Sequence, residues 1–181
     1  MEPLDVAAVI WLFVPAYAAD MSPILARLLL PSFDRPIDGG RRFRGEPILG
    51  SHKTWRGFGA CAVAGALAYA LQASIHRVAP LDPLELVDYE RHLFLPGLFM
   101  GIGAGVGDAA KSLFKRRIGI RPGSAWLVFD QLDFFFGALL FVLPFATPPL
   151  GGVLAALPIV FVCEVVATAV FYAIGLKESW I

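Results

Sequence analysis

The sequence predicts an all-α, polytopic integral membrane protein with five transmembrane helices, its N-terminus outside and its C-terminus in the cytoplasm. Three observations carry this. First, 57% of the 181 residues are hydrophobic and the mean hydropathy is +0.69, against roughly 45–50% apolar residues in soluble domains. Second, the apolar residues fall into five long runs, with no alternating pattern of the kind that marks strands. Third, the basic residues gather in alternate loops although the formal net charge is zero.

The runs cover 4–30, 58–75, 93–107 and a little beyond, 132–146, and 152–176. Each is near the roughly 20 residues a spanning helix requires, the fourth being short. The first is too long, and too rich in polar residues and prolines, for a cleavable signal peptide. No repeat or low-complexity tract interrupts the chain, which reads as one membrane-embedded domain over 1–181. Between the first two runs lie Arg35, Arg41, Arg42, Arg44, Lys53 and Arg56, and between the third and fourth lie Lys111, Lys115, Arg116, Arg117 and Arg121. The second connection sets Asp82, Glu85, Asp88 and Glu90 against Arg77 and Arg91, and the turn at Pro148 and Pro149 is uncharged. Basic loops stay in the cytoplasm. Both therefore face one compartment and are placed to build one site. Cys61 and Cys163 lie within apolar runs, where they suit small buried hydrophobes better than a disulfide or a zinc site.

The second basic loop holds the sharper chemistry. If the third helix continues past the membrane face, Asp108, Lys111, Ser112 and Lys115 fall at i, i+3, i+4 and i+7 and share one face. Ammonium groups neutralise phosphate oxygens and a carboxylate holds Mg2+, so the stripe suits a metal-bound polyphosphate. A basic loop that merely orients the protein is the plainer alternative. After the Pro122-Gly123 turn, Asp130 and Asp133 stand three apart where the fourth helix begins. The helix dipole favours each by only about 0.3–1 kcal/mol, too little to place two acids beside lipid. Either Asp130 caps the helix and Asp133 is solvated, or the pair binds a divalent cation; Asp108 nearby favours the cation.

The first basic loop, Gly50-Ser-His-Lys-Thr-Trp-Arg-Gly57, offers Lys53 and Arg56 to phosphate and Thr54 as a hydroxyl. Its spacing is not that of a Walker A loop. Trp55 is read as an interfacial anchor or a surface for a base to stack on, and His52 as a polar contact or a ligand. In the third run, Gly97, Gly101 and Gly105 repeat every four residues, with Gly103 and Gly107 on another face. That is the small-residue pattern of closely packed membrane helices and not a dinucleotide fingerprint, since no strand precedes it. Asp20, between Pro15 and Pro23, and Glu164 are intramembrane acids and so candidates for function; the prolines are expected to break the helix beside Asp20.

The stretch "GDAAKSLFKRRIGIRPGSAWLVFDQLDF", with "PIDGGRRFRGEPILGSHKTWRG" upstream, resembles the archaeal CDP-archaeol synthases, a branch of the CTP-transferase superfamily of CDP-diacylglycerol synthases. The likeness covers essentially the whole chain. It implies Mg2+-dependent transfer of CMP from CTP to an isoprenoid ether lipid phosphate, 2,3-bis-(O-geranylgeranyl)-sn-glycerol 1-phosphate, in the cell membrane with the site on the cytoplasmic face and no nucleic acid as partner. By resemblance Asp108, Asp130 and Asp133 are metal ligands, and Asp108, Asp133 and Lys111 are catalytic. Lys53, Thr54, Arg56, Ser112, Lys115, Arg116, Arg117 and Gly123 then bind CTP and its phosphates. Where the bacterial signature has a Lys-Asp pair, this chain has Ile118-Gly119-Ile120-Arg121, and where that signature has His-Gly-Gly it has Ser124-Ala125-Trp126. No acid stands near Ser51, where the upstream loop would be expected to carry one. The alternatives are a CTP-dependent polyprenol kinase and a small transporter using Asp20 and Glu164.

Overall fold

The computed structural model describes residues 3–79, 81–121 and 124–177. Its helices are α1 Pro3–Leu12, α2 Val14–Leu29, α3 Trp55–Val78, α4 Leu95–Arg117, α5 Phe129–Val142 and α6 Leu150–Ala173. Strands β1 Arg42–Phe43 and β2 Glu46–Pro47 pair antiparallel as a small hairpin in the first basic loop. Among the described residues, three stretches are long and apolar enough to cross a membrane: Leu4–Leu29, Trp55–Val78 and Leu150–Ala173. Helix α5, with 14 residues, is as short as its run foretold.

The first run folds as two helices, and the break is not beside Asp20. It falls at Phe13, with Pro15 in the first turn of α2, where a missing N–H breaks no hydrogen bond. Pro23 sits inside α2 without interrupting it. Its ring leaves the Ala19 carbonyl without an amide donor, and the Ser22 hydroxyl donates to that oxygen at 2.7 Å.

Helix α4 lies between α3 and α5 and also touches α2. Its glycines divide as their spacing foretold. A Cβ on Gly97 or Gly101 would strike the backbone of α3 at Gly65 or Cys61, and one on Gly103 or Gly107 would strike that of α5 at Gly137 or Asp133. Gly105 faces the Phe58 ring of α3. Backbones that meet this closely gain dispersion contact, which drives helix association in lipid. The core is closed by Phe13 stacked on Phe135 at 4.2 Å and by Tyr17 against Phe134 at 5.0 Å. Leu67, Leu71, Leu140, Leu154, Val162 and Val166 point outward, an apolar belt suited to lipid. Cys61 is buried as expected, but Cys163 is exposed, because it falls on the outward side of α6.

Gly137→Leu is therefore expected to destabilise the protein by at least about 1–3 kcal/mol. Gly59→Ala, where a Cβ meets nothing within 4 Å, should be neutral or stabilising by up to about 1 kcal/mol. Thermal unfolding in detergent ranks the two.

Candidate functional site

Because α4 runs unbroken to Arg117, Asp108, Lys111, Ser112 and Lys115 do share a face. The contact of Gly107 with the Asp133 backbone sets Asp133 one turn of α4 from Lys111. The Lys111 ammonium then lies 3.1 Å from Asp108, 3.3 Å from Asp130 and 2.9 Å from Asp133. Lys53, arriving from the loop before α3, reaches the other oxygen of Asp108 at 2.5 Å. Lys115 donates to both oxygens of Asp130 at 3.0 Å. Three carboxylates thus face three ammonium groups, largely out of water: the Asp133, Lys115 and Lys111 side chains are 7%, 9% and 14% exposed. Ser112 is buried beside them.

Asp130 has a second task. Its carboxylate accepts the Trp126 backbone N–H at 2.5 Å and so holds the turn that leads into α5. Asp133 differs. Its buried Oδ2 lies near the Lys111 ammonium but receives no aligned hydrogen bond. If Lys111 turned to another partner, this oxygen and the two neighbouring carboxylates would offer hard oxygen donors of the kind Mg2+ takes. Among the described residues the three aspartates do not close to within 4.8 Å of one another; the Lys111 ammonium holds the space between them.

The remaining sequence candidates build the surroundings. The Thr54 hydroxyl caps α3 by accepting from the Gly57 N–H at 3.2 Å. Arg56 is buried, and its hydrogen bonds go to the Leu30 and Pro31 carbonyls and to Asp34, where they close the end of α2. Arg116 donates to the Ile120 carbonyl at the end of α4. Arg117 donates to the Phe43 carbonyl at 3.4 Å and covers the Phe43 ring at 4.7 Å, joining the hairpin to α4. Gly123 lies outside the described residues. His52 is exposed.

Sequence reasoning passed over Asp38. It accepts the backbone N–H groups of Gly40, Leu49 and Gly50 and fastens the first basic loop. Burial opposes its charge, but these donors, Leu49 first, outweigh burial and hold the carboxyl below the usual aspartate range. The signal was the Asp38-Gly39-Gly40 turn, in which Asp bonds the backbone two residues on. Also missed was Gln131, buried with its Oε1 unpartnered. Asp38, Arg41, Ile48, Trp55 and Leu113 help line a cavity of about 470 Å3 under this loop. An apolar groove of about 350 Å3 continues from it between α3 and α4, past Phe58 to Val106. Trp55 stands half exposed at the rim.

A helical membrane bundle that buries acids and lysines together, with a cavity under the adjoining basic loop, has the make-up of an intramembrane enzyme acting on phosphate compounds. Comparison with known proteins carries this further. Residues 4–181 match the family described as CarS-like, CDP-archaeol synthase. The CDP-archaeol synthase of Halobacterium salinarum is 38% identical over 186 residues, 97% of each chain. That of Methanopyrus kandleri is 35% identical over 178 residues, covering 97% of this chain and 93% of its own. A solved structure of an intramembrane enzyme for archaeal membrane lipid biosynthesis is similar with a TM-score of 0.65 and 29% identity, over 87% of this chain and 90% of that one. The chain belongs to the CDP-archaeol synthase family.

The Lys115–Asp130 pair is expected to be coupled. In a double-mutant cycle of Lys115→Ala and Asp130→Ala, read by thermal unfolding in detergent, the coupling should be about 0.5–3 kcal/mol. Additive effects would show that the pair contributes nothing to the turn before α5.

Proposed function

We infer that the protein transfers CMP from CTP to the phosphate of an unsaturated isoprenoid ether lipid, 2,3-bis-(O-geranylgeranyl)-sn-glycerol 1-phosphate, releasing pyrophosphate. Membership of the family makes it a CTP-dependent, CDP-archaeol-forming membrane enzyme. The observation that supports a site for it is Lys111 among Asp108, Asp130 and Asp133, with Lys53 and Lys115 alongside.

In this reading residues 1–181 form one membrane-embedded domain. The chain crosses five times, by α1 with α2, then α3, α4, α5 and α6, and the loop placement of basic residues puts the N-terminus outside and the site on the cytoplasmic face. Asp108, Asp130 and Asp133 would hold Mg2+, which supplies positive charge at the phosphate oxygens as the α-phosphorus is attacked. Lys53, Lys111 and Lys115 exchange a carboxylate partner for a phosphate one. Ser112 borders the same phosphates, while Thr54, Arg56, Arg116 and Arg117 keep the two basic loops in place. The nucleoside occupies the cavity at Asp38, Arg41 and Trp55, with the Trp55 ring as a stacking surface. The lipid phosphate attacks in line, one P–O bond forming as the bond to pyrophosphate breaks. It is already an anion, so no protein nucleophile is required, and the rate comes from positioning and electrostatics.

With α-labelled CTP and the lipid phosphate, label should enter the lipid. Label appearing only in CDP would identify a kinase, and no consumption of CTP would point to transport. Chelation should stop the reaction and Mg2+ restore it. Asp133→Asn should raise the Mg2+ needed for half-maximal rate at least about tenfold; wild-type turnover at limiting Mg2+ would remove Asp133 from the metal set.

A further inference from the structure

A second polar cluster lies where α6 ends. Gly175, at φ +76, turns the chain back, and Leu176 and Lys177 both donate to the Phe171 carbonyl. The turn returns the Lys177 ammonium to the Thr168 hydroxyl at 3.0 Å, with Glu164 at 3.9 Å. Glu164 is 3% exposed; one of its oxygens accepts from Thr168, and the other, Oε2, is buried without a partner. On α2, Arg27 donates to the Leu176 carbonyl at 3.1 Å. Asp20 lies within electrostatic reach of Glu164, Lys177, Asp108 and Lys111, and Glu164 within reach of Asp133 and Lys111.

Among the described residues, α6 leans on α1 and α5 and brings no Cα within 8 Å of α2 or α4. Charged side chains on membrane helices line polar passages, not lipid-facing surface. The acceptor must bring a phosphate from the bilayer to the α-phosphorus while CTP occupies the side formed by the basic loops. Arg27 on α2 and Lys177 at the end of α6 stand apart from those loops, on the side of the helices.

We propose that Lys177, with Arg27, receives the phosphate of the lipid acceptor where the end of α6 meets α2, and that Thr168 and Glu164 position Lys177 for it. This rests on the cytidylyltransferase reading. An ammonium has three donors, and one bond to Thr168 with a carboxylate 3.9 Å away leaves donors for a phosphate. The hydroxyl of a monoanionic phosphate fits the unpartnered Glu164 Oε2, which removes the repulsion between the two groups. The apolar groove between α3 and α4 is the competing route.

The test uses the full-length protein in nanodiscs, with CTP and the geranylgeranyl ether lipid phosphate varied in turn. Lys177→Met should raise the KM for the lipid phosphate by roughly tenfold or more and leave the KM and binding of CTP near wild type, and Lys177→Arg should recover much of the loss. An unchanged lipid KM, or equal loss for both substrates, overturns the proposal. Should Lys177→Met fail to fold, as loss of its cooperative thermal unfolding transition would show, the wild-type protein decides. A lipid phosphate carrying a photoreactive group at the glycerol should crosslink to α2 near Arg27 and to the α6 end near Lys177; crosslinks confined to Phe58, Val106 and Leu113 overturn it. A wild-type protein that makes no CDP-lipid fails the cytidylyltransferase reading itself, whatever Lys177 does.

Discussion

Lys111 sits among three carboxylates, and that arrangement constrains the rest of the molecule. An ammonium taken out of water is costly unless opposed charge surrounds it, and three aspartates packed together are as costly without it. Asp108 on its own helix and Asp130 and Asp133 on α5 meet at this one group. Lys53 from the first basic loop and Lys115 from the last turn of α4 complete the neutralisation. The knot joins α4, α5 and the approach to α3 at one level.

Packing makes the knot possible. Lys111 reaches Asp133 because α4 and α5 touch backbone to backbone at Gly103, Gly107 and Gly137. A side chain at any of the three would separate the helices and pull the carboxylates away from the lysine. Stability and chemistry therefore share the same glycines. At the rim, Asp38, Arg56 and Arg117 spend their polar groups on backbone carbonyls, N–H groups and the hairpin, so the first loop has a fixed shape over its cavity without drawing on the three lysines.

Much of this was legible in the sequence. The period of α4 put Asp108, Lys111, Ser112 and Lys115 on one face, and the glycine spacing gave both packing surfaces, because helical periodicity is local information. The proximity of Asp130 and Asp133 to Lys111 needed the α4–α5 packing, which the sequence implied only through Gly103 and Gly107. Asp130 does not cap α5, whose N-cap position is Val128; it fixes the turn before the helix through the Trp126 N–H and pairs with Lys115. The tasks of Arg56, Arg116 and Arg117 were not legible, since a guanidinium that binds phosphate and one that closes a helix end look alike in a sequence. Nor was the break at Phe13, where two prolines offered two sites and only the Ser22 hydroxyl distinguishes the one the helix tolerates. The return of Lys177 to Thr168 and Glu164 depends on the turn at Gly175.

The claim that Asp108, Asp130 and Asp133 form a cation site held in readiness by Lys111 is tested most directly by Mn2+ binding. Electron paramagnetic resonance of the purified protein with CTP would count tightly bound Mn2+ in the wild type and in Asp108→Asn and Asp133→Asn. Tight binding in the wild type that is lost or weakened at least about tenfold in both variants is expected. Equal Mn2+ binding in all three proteins would contradict it.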